Sequence, residues 1–164
     1  MNEFVGMMLA FLLVALALHA IPEFRLEDQF RSIQTPELLF TGTPVVLVAG
    51  DQRKTDRHIQ AWGERLQIAL GNRVRVIGLS NLRGLPFFVS KNSVRSSLKK
   101  NLPKIPVLCD WNGSAYKQFG FIRGQVNAHV FAVNRNLIGS LTGTPSEDRV
   151  QTALALIERS LSHK

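Results

Sequence analysis

Residues 44–49 read Pro-Val-Val-Leu-Val-Ala, with no polar side chain and three β-branched positions. A run this short and without alternation predicts a strand covered on both faces, the situation of an inner strand in a parallel sheet. Parallel neighbours need long crossovers, and the chain supplies a helix for one. Ile59, Trp62, Leu66 and Ala69 or Leu70 recur at three- and four-residue spacing, which predicts an amphipathic helix over residues 52–70 closed by Gly71-Asn72. Residues 74–79 predict a second strand and residues 105–110 a third. Between them, residues 90–100 contain no breaker and predict about three helical turns.

The carboxyl-terminal third changes character. Ala115, Tyr116 and Phe119 mark a short helix after the turn Trp111-Asn112-Gly113. Two apolar runs, 128–133 and 137–141, are joined by Asn134-Arg135-Asn136 and predict an antiparallel hairpin with an asparagine in the left-handed position. For the last helix, Thr144 is the expected cap, Pro145 the first helical residue and Glu147 the partner in a capping box. Val150, Ala153, Leu154, Ile157 and Leu161 form its apolar stripe. The order is βαβαβα, then a hairpin, then a closing helix.

At 164 residues the chain has material for one domain with an ordinary core. Its single cysteine, Cys109, excludes an intramolecular disulfide, a CxxC pair and any zinc site built on paired cysteines. No pair of histidines has ligand spacing, so neither a metal nor a cofactor is expected. The net charge of +8 points to anionic partners or an anionic membrane surface. It is unevenly spread: no acidic residue lies between Glu64 and Asp110, where nine Lys and Arg residues fall.

The run 4–21 has 18 residues whose one strongly polar side chain is His19. It predicts either a signal peptide cleaved after Ala20 or a retained membrane anchor. The domain reading is therefore 1–21 as signal or anchor, 22–43 as a polar, irregular connector and 44–164 as the folded domain. Localisation follows as periplasmic, or anchored and facing outside the cytoplasm.

This order of elements resembles the thioredoxin fold, and more particularly its peroxiredoxin-like branch. Asp110, Gly113, Ala115 and Phe119-Gly120-Phe121 look like that branch's D-x-x-G-x-x-A-x-x-[YF]-G-V stretch, with one residue fewer before the alanine. Residues 130–138 resemble its hairpin pattern T-F-x-[IV]-D-x-x-G-x-[IV], with Asn136 where glycine usually stands. The segment Val94-Arg95-Ser96-Ser97-Leu98 is similar to a stretch in exported bacterial proteins of the YtfJ type, redoxins without redox cysteines. The resemblance implies an α/β, three-layer fold: a mixed sheet with a parallel βαβ half, an antiparallel hairpin and a closing helix.

In that family the reactive cysteine stands where the first strand meets the first helix, because a helix amino terminus and nearby cations favour the thiolate. Here the junction reads Gly50-Asp51-Gln52-Arg53-Lys54-Thr55, without sulfur. The family's proline or arginine before the hairpin strand is replaced by Asn127-Ala128-His129. Cys109 ends a buried strand, where a free thiol behaves as a small apolar group.

Two sets of residues remain as binding candidates. Asp51, Arg53, Lys54 and Thr55 occupy the old reactive corner, where Asp51 or Gln52 caps the helix or the helix amides with Arg53 and Lys54 hold an anion. Lys91, Arg95 and Lys99 fall at i, i+4 and i+8, a like-charged stripe that is either a solvated face or a docking face for an acidic partner or lipid. The leading expectation is a non-catalytic binding or accessory domain of the cell envelope, with an envelope protein as partner and nucleic acid disfavoured. The alternative is a thiol peroxidase or oxidoreductase using Cys109 or a partner's cysteine. A third reading holds the domain to anionic lipid through its anchor and basic stripe.

Overall fold

The computed structural model describes residues 21–162. The expected signal or anchor, apart from Ile21, lies outside them. Among the described residues no helix is long and apolar enough to cross a membrane.

The elements are β1 (Leu26–Glu27), β2 (Ile33–Gln34), α1 (Pro36–Leu39), β3 (Val45–Gly50), α2 (Thr55–Leu70), β4 (Arg75–Asn81), α3 (Lys91–Asn101), β5 (Val107–Asp110), α4 (Ser114–Gln118), β6 (Asn127–Phe131), β7 (Leu137–Thr142) and α5 (Glu147–Ser162). The main sheet has the order β5-β4-β3-β6-β7. β3, β4 and β5 are parallel, and β6 and β7 are antiparallel additions on the other side of β3. Every residue of β3 is buried, as its unbroken apolar run requires in the centre of a covered sheet.

The two faces of β3 feed separate cores. Val46 and Val48 pack with Ile59, Trp62 and Leu66 of α2, Leu98 of α3 and Val150, Ala153 and Ile157 of α5. Val45, Leu47 and Ala49 pack with Leu39 and Phe40 near α1 and with the aromatic group Tyr116, Phe119, Phe121 and Phe131. The result is the three-layer α/β arrangement with parallel half, hairpin and closing helix that the sequence predicts.

Four local expectations are corrected. Residues 22–43 are not an irregular connector: β1 and β2 pair as a short antiparallel hairpin, α1 follows, and Leu39 and Phe40 enter the core. The hairpin lies along the edge of β5, with Asp28 bridged to Leu108 in antiparallel sense. Gln29, fully buried, donates through Nε2 to Leu102 O and Ile105 O at 2.9 and 2.8 Å and accepts from Val107 N at 2.8 Å. This side chain satisfies backbone groups that an open edge would leave bare.

The left-handed position between β6 and β7 belongs to Arg135, with φ 69°, not to an asparagine. Asn134 instead turns its Oδ1 to Asn136 N at 3.1 Å, and Arg135 Nε donates to Phe40 O at 3.1 Å. Those bonds offset the cost of a side chain at positive φ. α5 begins at Glu147, with Ser146 O accepting from Val150 N at 2.9 Å, so Thr144 is not the cap. Glu147 is engaged by Arg65 at 2.9 Å rather than closing a capping box. α2 begins at Thr55 rather than residue 52, for a reason that belongs to the candidate site.

Candidate functional site

The strand order runs outward from β3 to β5, then returns across β3 to β6, so the carboxyl end of β3 is the point where the topology reverses. Crevices form there because the two crossovers leave in opposite directions. Two open clefts occupy that end, of about 470 and 740 Å³. They meet at Asp51, Asn81 and Gly84, which line both.

The corner itself is built by residues 50–55. Gly50 has no Cβ because one would stand 2.5 Å from Thr55 Oγ1. That close approach lets Thr55, itself buried, fold back on the loop. Its hydroxyl donates to Gln52 O at 2.8 Å and accepts from Gln52 N at 3.2 Å. The reciprocal pair forms a turn that delays the helix to Thr55 and uses up the hydroxyl.

Asp51 and Gln52 do not cap α2, whose cap position is Lys54 without a side-chain bond. Asp51 reaches the loop before β6, accepting from Gly124 N at 3.0 Å, with Arg123 at 3.8 Å. Gln52 Nε2 donates to Gly124 O. Arg53 and Lys54 are exposed. The four corner candidates are thus together, but two point inward as structure and two outward as cations with no ion pair among the described residues.

The loop that receives Asp51 is fixed by Asn127, marked in the sequence only for not being proline or arginine. Its Oδ1 accepts from Ile122 N at 2.9 Å, while Nδ2 donates to Ile122 O at 2.9 Å and to the Tyr116 hydroxyl at 3.2 Å. Tyr116 donates to the same Ile122 O at 2.9 Å. Burial, with Asp51 adding to it, pushes the Tyr116 phenol up to about 12. Tyr116 and Asn127 were missed as site residues; the Tyr116 position inside the Asp110–Phe121 motif was the available signal.

The second candidate set does form one helical stripe on α3, away from the corner residues in sequence and turned to other partners. Lys91 Nζ and the Arg95 guanidinium lie 5.1 and 5.2 Å from the centre of the Trp111 ring. Arg95 also pairs with Glu27 of the hairpin, and Lys99 Nζ lies 5.9 Å over Phe30. Aromatic faces and a carboxylate from other elements offset the like-charge repulsion along the helix.

Cys109 lies on β5, two strands from β3, fully buried in the core under α2 and α3. Burial pushes its thiol up to about 11; Arg95 pulls the other way, and Asp28 and Glu27 add to the rise. A thiol held protonated and closed off from solvent is a poor nucleophile. Beside it Asp110 is also fully buried, with Oδ2 accepting from Tyr116 N at 2.8 Å and Oδ1 without a partner among the described residues.

Neither a family model nor a curated protein matches this sequence. Solved structures do match in shape. Peroxidoxin BcpB from Mycobacterium tuberculosis aligns with a TM-score of 0.63 at 22% identity, covering 85% of this chain and 94% of its own. A putative thiol:disulfide interchange protein DsbE from Chlorobium tepidum gives 0.65 at 14%, covering 87% and 95%. The exposed lipoprotein thioredoxin of Streptococcus pneumoniae gives 0.62 at 16%, covering 82% and 98%. At such identities the likeness is one of fold, and the fold is thioredoxin-like.

Proposed function

We propose that this thioredoxin-like chain is a non-catalytic binding or accessory domain of the cell envelope, exported or held there by residues 4–21, and akin to the YtfJ-type redoxins that lack redox cysteines. The observation that carries the reading is the separation of thiol from corner: the one cysteine is buried on β5 and pushed up to about 11. The corner residues Asp51 and Thr55 are spent on hydrogen bonds instead. Thiol exchange and peroxide reduction both begin with an accessible thiolate. The likeness to an exposed lipoprotein thioredoxin supports an envelope setting. The clefts at the carboxyl end of β3, with Arg53 in the lining of one and exposed Lys54 next to it in sequence, are the binding surface of this reading, and an envelope protein is its partner.

The test is reduction of hydrogen peroxide and of a small disulfide by the full chain in detergent, with a thiol reductant supplied, beside Cys109→Ala. No turnover is expected from either protein. Turnover that disappears in the variant makes the chain an oxidoreductase and overturns the proposal.

A further inference from the structure

The loop from β4 to α3 carries the most exposed large apolar side chain among the described residues, Phe87, with exposed Phe88 beside it. Val89 N donates to Pro86 O at 2.9 Å, closing a four-residue turn with Phe87 and Phe88 at its two central positions. Phe87 is 101% exposed and Phe88 76%. Their rings meet edge to face at 5.7 Å, and neither is a member of a core cluster. Leu85, also exposed, precedes them. An aromatic pair held outward on a closed turn is costly in water and has a convex shape, which suits insertion into a soft apolar phase.

What surrounds the turn is cationic. Arg53, Arg83, Lys117 and Arg123 rim the two clefts beside it, and Ile122 adds one more exposed apolar side chain. Two carboxylates share this lining, Asp51 with Gly124 N and Arg123 and Asp56 with Asn101 Nδ2 at 2.6 Å, so the four cations leave a net excess of two positive charges. Apolar tip and cationic rim together match the layered chemistry of an anionic bilayer surface.

The Asp28–Leu108 bridge is antiparallel, so at the bridge the chain traced backward from Asp28 follows the direction of β5. Phe24 on that path packs 5.9 Å from Phe119, and Gly120 and Phe121 line a cleft. Ile21, the last residue of the 18-residue apolar run, packs with Phe24 against the core cluster whose members Tyr116 and Phe121 line the second cleft.

We infer that the Phe87-Phe88 turn, with its cationic rim, inserts into the interfacial layer of an anionic lipid bilayer and seats the clefted end of the domain against the membrane. The inference rests on the envelope setting proposed above and not on the absence of catalysis. The stripe on α3 has no part in it.

The test places a nitroxide at Phe88→Cys in the full chain, since buried Cys109 stays unlabelled, and a second at Ile68→Cys. Ile68 is exposed on the far part of α2, toward the amino ends of the strands. Both are reconstituted into vesicles of phosphatidylglycerol and phosphatidylcholine in equal parts. The expected result is loss of collision between the label at 88 and an aqueous nickel chelate, with gain of collision with oxygen, while the label at 68 stays in water. About 1 M salt, which shortens the screening length to about 3 Å, is expected to return the label at 88 toward water. A label at 88 as wet as that at 68, on chains that do associate with the vesicles, overturns the inference alone. Chains that stay in the supernatant overturn it together with the envelope setting. A label at 88 that is occluded without lipid as protein concentration rises assigns the turn to a second copy and equally overturns it.

Discussion

At the carboxyl end of β3 the chain offers open clefts, a helix amino terminus and exposed cations, but no sulfur. Two strands away on β5 it has the sulfur, closed off from solvent and held protonated. A reactive thiol needs both environments at one place. The corner is held by hydrogen bonds near the surface, such as Asp51 to Gly124, whereas the surroundings of Cys109 are held by buried ones, such as Gln29 to the β5 edge. The difference separates a region that can change its surface chemistry at little cost from one that cannot.

The largest effect expected from breaking that contrast is at Gln29. Gln29→Ala leaves two carbonyls and one amide of the β5 edge without partners, and stability in urea is expected to fall by about 4 kcal/mol. Cys109 should then react with a thiol reagent under conditions where the parent does not. A loss below about 1 kcal/mol would mean that the edge is sealed by something other than this side chain.

His129 tests dryness on the other side of β3. It is buried on β6 with its ring 4.5 Å from that of Phe121, and burial holds its pKa near 4 instead of 6.5. The folded value lies below the unfolded one, so this stability is complete above pH 6.5 and is lost as pH falls through about 4. The total is about 3 kcal/mol. Acid titration of stability for His129→Gln beside the parent should lack that limb. Equal limbs in both proteins would assign acid loss to carboxylates.

Cys109 gives the mirror case at high pH. Its folded value of about 11 lies above the ordinary 9.0, so its contribution is complete below pH 9 and disappears as pH rises through 11, about 2–3 kcal/mol. Cys109→Ala should flatten this part of the alkaline limb relative to the parent. Tyr116, displaced from 10.0 to about 12, keeps its own later slope in both proteins. Parallel curves would place the thiol in contact with water.

The smallest effect belongs to the corner. Asp51→Ala removes the acceptor for Gly124 N and should cost about 1 kcal/mol in thermal or urea unfolding. A cost near that of Gln29→Ala would erase the distinction between the two regions.

Most of the sheet and its covering helices were legible in the sequence because apolar spacing reports which faces are covered: β3 by its unbroken run, α2 and α5 by their stripes. The hairpin of β1 and β2 was not, since its anchoring side chains are polar. Asp28 is buried with Oδ1 accepting from Phe30 N and Ser32 N and Oδ2 from Gln34 Nε2. Its neighbour Gln29 finds partners 73 to 78 residues away. A polar residue satisfied at such range has no local pattern.

Residues 50–55 do form the turn between β3 and α2, but which hydroxyl or carboxylate faces inward depends on the distant Gly124 loop. The α3 stripe was visible as charge, while its aromatic partners come from Trp111 and Phe30. Phe87 and Phe88 carried a usable sign, an aromatic pair directly after Gly84, Leu85 and Pro86 in a breaker-rich segment, where no regular element can bury them.

The reach of Gln29 also sets an order in time. Leu102 follows it by 73 residues and Val107 by 78; at about 5–20 residues per second, a growing chain waits roughly 4 to 16 seconds for those partners. Until then the hairpin made first has no strand to close, and β4 is the outermost member of whatever parallel sheet has formed. A nascent or truncated chain ending before residue 107 therefore presents an unsealed edge to strand addition from other chains, a hazard that ends once β5 pairs and the earliest-made segment docks.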